Sequence, residues 1–205
     1  MDHFSSKYLE QAVEAFASLP GIGKRTALRL ALHLLDRDLP DVERFAETFV
    51  ELKRNIFYCA CCNNLSDKEI CSICGNPARD HSTICLVESI RDVMAVENTH
   101  SYNGVYHVLG GIISPIEGIG PDQLSIDLLM ERLQSGKIKE LIFALPATVE
   151  GDTTGFYLFR QIEPLGIPIS IIARGIAVGD NLEYTDEISL SRSILQRRPY
   201  SGTNS

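Results

Sequence analysis

The sequence predicts an α/β core, a parallel sheet with helices on both faces, preceded by an all-α region and a small cysteine-rich module. Three successive segments of the 205-residue chain, each with its own residue pattern, support this fold class. Apolar residues recur at helical spacing in residues 7–56, and residues 57–79 pair cysteines with few large apolar side chains. From about residue 80, buried-strand runs alternate with helical stretches, which favours parallel strands. The predicted divisions are 1–56, 57–79, 80–174 and a C-terminal extension, 175–205.

The composition is that of a globular but acidic protein. Hydrophobic residues make up 44% and charged residues 22% of the chain. The net charge of −8 argues against a general polyanion binder, so any contact with nucleic acid must use a local patch, backbone donors or an assembled ring. No apolar run approaches the roughly 18 residues that cross a bilayer, and residues 1–8 lack a secretion signal. We therefore expect a cytoplasmic protein without a membrane contact.

Three helices are predicted in the first division. Two of them flank a glycine turn, and the third begins near Pro40, which a helix accepts only in its first turn. Their apolar positions are Leu9, Val13, Phe16 and Leu19, then Ala27, Leu30, Ala31, Leu34 and Leu35, and finally Val42, Phe45, Phe49 and Leu52.

The turn between the first two helices is the first candidate binding site. Gly21 and Gly23 permit positive φ and leave backbone N–H groups bare. At a helix N-terminus such donors bind phosphate oxygens, and Lys24, Arg25 and Arg29 add positive charge on the same side. A contact of this kind reads the DNA backbone and not the base sequence. A plain helical turn with a solvated basic edge is the alternative that so short a motif leaves open.

Two Cys-x-x-Cys pairs, separated by eight residues, form the second candidate site. Four thiolates close tetrahedrally around Zn²⁺ and leave no position for water, which predicts one structural zinc ion per chain. Free buried cysteines are the alternative. Cys61 is expected to pack or face solvent, and Cys85 to lie in the core. The predicted ligands are Cys59, Cys62, Cys71 and Cys74.

The α/β part is expected to hold four strands and three helices. The strands are predicted at 83–87, 106–109, 141–145 and 167–173. The helices are predicted through Val93 and Val96, from Pro121 to a stop at Gly136, and at 153–163.

Acidic residues near the ends of these strands are the third candidate site. Ligands gather at the carboxyl ends of parallel strands, where Glu88, Glu150 and Asp152 are candidates for Mg²⁺. Pro146 and Thr148 follow the third strand, and neither supplies a carboxylate. Phosphoryl transfer needs several carboxylates around the metal ion, and this set provides few of them. The alternative is that the acids cap helices. The sequence also lacks a Ser/His/Asp signature and a Walker A loop, so no catalytic residue is predicted.

Taken in order, the motifs resemble those of the RecR recombination mediator family over nearly the whole chain. Residues 19–23 resemble its helix-hairpin-helix, and the four cysteines resemble its zinc finger. Residues 84–89 and 148–151 resemble its Toprim domain, and residues 175–186 its Walker-B-like segment. Residues 109–121 are also similar to a stretch typical of the family.

The resemblance implies a non-catalytic mediator of recombinational repair that binds DNA and associates with the nucleoid. It implies ring-like tetramers built from dimers that act with RecO, and in many bacteria with RecF, to load RecA onto single strands coated by SSB. Arg25 and Arg29 match basic positions linked to DNA contact. Glu88 and Glu150 match Toprim acids linked to partner function and metal binding.

Two departures from the family pattern bear on activity. Lys24 stands where many relatives have proline, which adds local charge, and Pro146 stands where many have asparagine. Compared with catalytic Toprim enzymes, Pro146 and Thr148 replace the two Asp-x-Asp carboxylates, which removes the electrostatic clamp on a transferring phosphate. Two alternatives stay open, a Mg²⁺-dependent Toprim nuclease or primase-like phosphoryl transferase, and a protein-interaction module that never touches DNA.

Overall fold

The computed structural model describes residues 6–176 and 179–197. Parts of the predicted N-terminal helical region (1–5) and of the C-terminal extension (177–178 and 198–205) lie outside the described residues. The chain divides into two units, Met1–Ile56 and Phe57–Ser205. Within the described ranges, we find no helix that combines the length and the apolar character needed to span a membrane.

The first unit consists of three helices, as its apolar spacing predicts. They are α1 (Lys7–Ala17), α2 (Lys24–Leu35) and α3 (Leu39–Asn55). The small Ala27 and Ala31 of α2 let the helix approach α1 closely, and they are buried together with Val13. In contrast, Phe49 and Leu52 of α3 each leave 55% of their surface exposed.

The second unit begins with a short hairpin and continues into a four-stranded sheet. Its hairpin strands, β1 (Phe57–Tyr58) and β2 (Leu65–Ser66), are antiparallel. The main sheet has the order β4-β3-β5-β6, and all of its neighbouring strands are parallel, as predicted. The remaining strands and α-helices are β3 (Asp80–Val87), α4 (Ile90–Asn98), β4 (Gly104–Val108), α5 (Ile126–Gln134), β5 (Glu140–Ala144), α6 (Val149–Ile162), β6 (Ile169–Ile171) and α7 (Glu187–Leu195).

Helices cover both faces of the parallel sheet. Successive residues of a strand point to opposite faces, and β3 accordingly contributes to two buried clusters. Leu86 packs with Leu129 of α5 and Leu158 of α6, whereas Cys85 packs with Val93 of α4. The predicted fold class is therefore confirmed, and Cys85 lies in the core as expected.

Several predicted element boundaries are wrong. Pro121 begins a single 3₁₀ turn, Pro121–Gln123, and the α-helix starts only at Ile126. The helix predicted at 153–163 starts earlier, at Val149, because the Thr148 hydroxyl caps it by accepting the Gly151 N–H at 3.1 Å. The fourth strand is shorter than predicted, Ile169–Ile171. Apolar spacing reports which face is buried but not which residue caps an element, so such ends are the least predictable part.

His107 of β4 is a fully buried imidazole that the sequence does not single out. Its Nε2 donates to the carbonyl oxygen of Ser125 at 2.8 Å, while Nδ1 has no partner among the described residues. Burial lowers the pKa of His107 from 6.5 to about 4, since the charged form would lose its hydration. The ring is therefore neutral in the folded protein at physiological pH.

We expect acid to destabilise the second unit through His107. The unfolded side chain takes up a proton near pH 6.5, but the folded one does so only near pH 4. Its contribution to stability is complete above pH 6.5 and is lost as the pH falls toward 4, by about 2 kcal/mol at pH 5. Urea unfolding at pH 7 and pH 5 measures this loss. His107→Gln, whose amide still donates to Ser125, should lose less over the same interval, and equal losses would contradict the assignment.

Candidate metal centre and nucleic-acid interface

The structure brings the four predicted cysteine ligands together. Their sulfur atoms all lie within 4.8 Å of one another, and the Sγ atoms of Cys62 and Cys71 are 3.7 Å apart. A tetrahedral zinc ion with Zn–S bonds of about 2.3 Å places its sulfurs about 3.8 Å apart. The cluster therefore fits zinc. Within residues 6–176 and 179–197, no other group of three or more histidine, cysteine or carboxylate side chains is placed to hold a metal ion.

Backbone donors surround the sulfur cluster. The Cys71 N–H lies 3.3 Å from the Sγ of Cys59, and the Cys74 N–H lies 3.4 Å from the Sγ of Cys71. Such hydrogen bonds stabilise the negative charge of thiolates and orient them toward a metal. Cys59, Cys62 and Cys71 are 3% exposed or less, whereas Cys74 is only partly buried. The cluster thus has one ligand that solvent reaches more easily than the other three.

The cysteine cluster is also joined to the main sheet. The carbonyl of Cys62 accepts a hydrogen bond from the Val108 N–H at 2.9 Å, and the Asn63 amide donates to the Val108 carbonyl at 2.9 Å. Because β4 is an edge strand, these bonds occupy backbone groups that the sheet itself leaves unpaired. Ile73 packs against the cysteine cluster and against both buried clusters of the sheet. The cysteine-rich segment therefore stabilises the edge of the main sheet.

The glycine turn of the first unit places backbone donors and cations on one exposed surface. Gly21 has φ +78°, a conformation that other residues rarely adopt, and Gly23 precedes the first turn of α2. The first N–H groups of a helix have no intrahelical acceptor, and Gly23 has no side chain that would occupy them. Lys24, Arg25 and Arg29 are all exposed. This surface matches an anion-binding site, with Arg25 and Arg29 on one helix face because they are four residues apart.

The three candidate acids are not gathered around one metal position. Glu88, which follows β3, is in the electrostatic field of Asp92 and Glu117 and does not share a ligand group with the other two acids. Burial, together with these two neighbouring carboxylates, raises the pKa of Glu88. Glu150 lies in the first turn of α6. The geometry therefore offers no carboxylate cage for Mg²⁺ among the described residues.

Asp152 has a role that the sequence did not indicate. Its carboxylate accepts hydrogen bonds from Arg174 at 2.5 Å and from Arg192 at 3.1 Å. The hydrogen bond from Arg174 is the main reason that the pKa of Asp152 lies below its usual value. The alternative interpretation, that Asp152 caps a helix, does not hold, since the Thr148 side chain caps α6. Asp152 instead connects α6 to Arg174, in the segment that follows β6, and to α7.

Replacing Asp152 with asparagine should loosen α7. The change removes the charge that holds Arg192, and a partly exposed pair of this kind contributes about 1 kcal/mol. Amide hydrogen exchange in Glu187–Leu195 should therefore become roughly fivefold faster. Glu150→Gln is the matched control because it removes the same charge from the same helical turn. The role assigned to Asp152 would be refuted by equal exchange rates in the two variants.

Comparisons with known proteins agree with this arrangement. A RecR helix-hairpin-helix family model matches residues 9–53, and a RecR four-cysteine zinc finger model matches residues 56–76. A Toprim domain model matches residues 82–173, and a RecR C-terminal model matches residues 175–198. These four matches follow one another along the chain.

Full-length relatives share more than half of their residues with the chain. Recombination protein RecR of Porphyromonas gingivalis is 56% identical over 198 residues, which are 97% of this chain and 96% of the relative. The protein of the same name from Bacteroides thetaiotaomicron is 56% identical over 200 residues, 98% of each chain. That of Flavobacterium johnsoniae is 56% identical over 200 residues, 98% of this chain and 97% of the relative.

Proposed function

Because this chain belongs to the RecR family of recombination proteins, we propose that it is a non-catalytic mediator of recombinational DNA repair. It holds DNA by the sugar-phosphate backbone and acts with RecO, and with RecF where that protein is present, to load RecA onto single strands coated by SSB. The exposed glycine turn with its three cations is the observation that carries this proposal.

The DNA contact is proposed for Gly21, Gly23, Lys24, Arg25 and Arg29. Bare N–H groups at the positive end of the α2 dipole donate hydrogen bonds to one phosphate oxygen, and the arginines, one turn apart, contact neighbouring phosphates. None of these donors distinguishes one base from another. DNA binding is therefore independent of the base sequence, and the DNA affinity falls as the salt concentration rises.

The proposed assembly is a homodimer that pairs into a homotetrameric ring. In its support, α3 buries none of its residues within the described chain, although Phe45, Phe49 and Leu52 lie along it. A helix with exposed aromatic and aliphatic residues gains stability when a second copy covers it. Several copies of a weak hairpin contact also raise the effective affinity, which offsets the net charge of −8.

The Toprim part is proposed to bind partners and to break no bonds. Two neutral residues, Pro146 and Thr148, stand where catalytic relatives of the fold carry carboxylates, and Asp152 is engaged by two arginines. Glu88 and Glu150 remain available to a basic surface on RecO. Zinc, held by the four cysteines, supports the fold because a fully sulfur-ligated ion has no open position for a substrate.

Reconstitution tests this function. RecA is added to single-stranded DNA coated with SSB, and its ATP hydrolysis reports filament formation. We expect this protein and RecO together to shorten the lag several-fold, and either one alone to have little effect. An unchanged lag with both proteins present would contradict the mediator role.

The same preparation distinguishes the enzymatic alternative. Labelled DNA incubated with the protein in magnesium buffer should remain intact. Cleavage or synthesis that is lost in Glu88→Gln would favour a Toprim phosphoryl transferase instead.

A further inference from the structure

Residues 109–121 form a loop that takes no part in the DNA contact or the metal centre. The loop follows β4 and leads to α5, so it starts at the carboxyl end of the parallel strands, where such sheets bind their ligands. The Gly110 N–H donates to the Glu88 carbonyl at 2.9 Å, and the Ser125 N–H donates to the Leu109 carbonyl at 2.9 Å. The loop therefore begins beside the backbone of Glu88 and is closed at its base.

The isoleucines of this loop differ in their surroundings. Ile113 and Ile119 pack against the buried cluster of the main sheet. Ile116 is 92% exposed, the largest exposed fraction of any large apolar side chain in the part of the chain that the structure describes. Single exposed apolar side chains are common on protein surfaces. What distinguishes Ile116 is that the backbone around it is held by several hydrogen bonds.

Ile116 lies in a tight turn that is closed on both sides. Ser114 and Ile119 form an antiparallel bridge, in which their backbones exchange hydrogen bonds of 3.0 and 2.9 Å. Within the turn, the Glu117 N–H donates to the Ser114 carbonyl at 3.1 Å, and Gly118 supplies the positive φ of +71°. A side chain on a turn that is already ordered binds a partner without the entropic cost of ordering the loop.

The loop is also joined to the first turns of α6. The buried hydroxyl of Thr154 accepts the Ile113 N–H at 2.9 Å and donates to the Glu150 carbonyl at 2.7 Å. Val149, in the first turn of the same helix, is 79% exposed. Hydrogen bonds thus connect the Ile116 turn to the backbones of both acids that are proposed to bind a partner.

The segments connected in this way are acidic. Residues 88–92, 109–122 and 148–151 contain a single cation, Arg91, and five carboxylates, those of Glu88, Asp92, Glu117, Asp122 and Glu150. Negative charge of this density repels DNA phosphates and attracts basic protein surfaces. The occupant that complements this surface is therefore a basic protein and not DNA.

We propose that Ile116 is the apolar contact of the same partner site as Glu88 and Glu150, and that it enters an apolar pocket whose rim carries lysine or arginine side chains. The inference rests on the proposed function, in which RecO is the partner at this site. Protein interfaces commonly combine a few buried apolar residues, which supply most of the affinity, with a charged rim that supplies specificity. Ile116 supplies the first, and the surrounding carboxylates supply the second.

Calorimetric titration of RecO into the full-length protein tests this role. Ile116→Ala should weaken RecO binding at least about tenfold, since it removes an apolar contact at the centre of the interface. The Tm and the affinity for DNA should not change, because the side chain is almost fully exposed. Ile70→Ala is the matched control, as it truncates another exposed isoleucine, in the cysteine-rich segment, and should bind RecO like the parent.

The outcomes separate this inference from the proposed function. If the parent binds RecO and Ile116→Ala binds it equally well, the role of Ile116 is refuted while the mediator function stands. If the parent does not bind RecO, both are refuted. A loss of DNA affinity in Ile116→Ala as large as its loss of RecO affinity would assign the loop to DNA and overturn the inference.

A second pair of variants tests the acidic rim. Glu117→Gln should weaken RecO binding by about two- to fivefold and make it less sensitive to salt, because one exposed ion pair is lost. Glu131→Gln removes the same charge from an exposed position on α5 and should have no effect. Equal affinities in these two variants would contradict a basic rim on the partner.

Discussion

Reversing the charge of Arg25 and Arg29 together should lower DNA affinity by at least about 100-fold at physiological salt. Each arginine that neutralises a phosphate releases counterions, so two lost contacts should reduce the slope of log affinity against log salt by about two. Replacement by glutamate adds repulsion to the loss of attraction. Because both side chains are exposed and α2 packs through Ala27 and Ala31, the fold should tolerate the change.

Fluorescence anisotropy of labelled duplex and single-stranded DNA across a salt series measures this effect. Lys137→Glu with Lys139→Glu is the matched control, because it changes the net charge equally at two exposed positions between α5 and β5. The control should retain most of the affinity. An equal loss in both double variants would mean that net charge and not the hairpin governs binding. Unchanged binding in the Arg25 and Arg29 variant would favour a pure protein-interaction module.

Removing zinc, by chelation or by Cys62→Ser, should unfold residues 57–79 and lower the Tm of the second unit by more than about 10 °C. The segment is too small to build its own core, so the free energy of metal binding supplies its folding free energy. The loss also leaves the N–H and C=O groups of Val108 without their partners, at a cost of about 1–3 kcal/mol each.

Thermal denaturation and hydrogen exchange measure the effect of zinc removal. Exchange should accelerate in the cysteine segment and in β4, whose edge it occupies. Cys61→Ser is the matched control, since it removes a neighbouring thiol that is not one of the four gathered ligands. Returned zinc should restore the chelated protein but not Cys62→Ser. A Tm that is insensitive to chelation would exclude a structural role for the metal.

Local patterns in the sequence were sufficient for the order of the segments, the three N-terminal helices, the parallel sheet and the four cysteine ligands. Each of these features follows from residues that are near in the chain. Helical spacing of apolar residues indicates which face of a helix is buried, and an apolar run in a strand indicates that both faces of the sheet are covered. Two Cys-x-x-Cys pairs supply the four ligands of one zinc ion. The same reasoning placed Gly21 and Gly23 in the turn between two helices. Only Gly21 has positive φ there, whereas Gly23 is extended, with φ −80°, and precedes α2.

Contacts between distant residues were decided only by the tertiary structure. The Asp152 carboxylate accepts hydrogen bonds from Arg174 and Arg192, and the Cys62 carbonyl accepts one from the Val108 N–H. The sequence around these residues does not indicate which residues they contact. A carboxylate in the first turn of a helix looks the same whether it caps that helix, binds a metal or holds another element. Its role depends on which groups the chain path brings within hydrogen-bonding distance, because ion pairs and hydrogen bonds act over a few ångströms of space and not over a fixed interval of sequence.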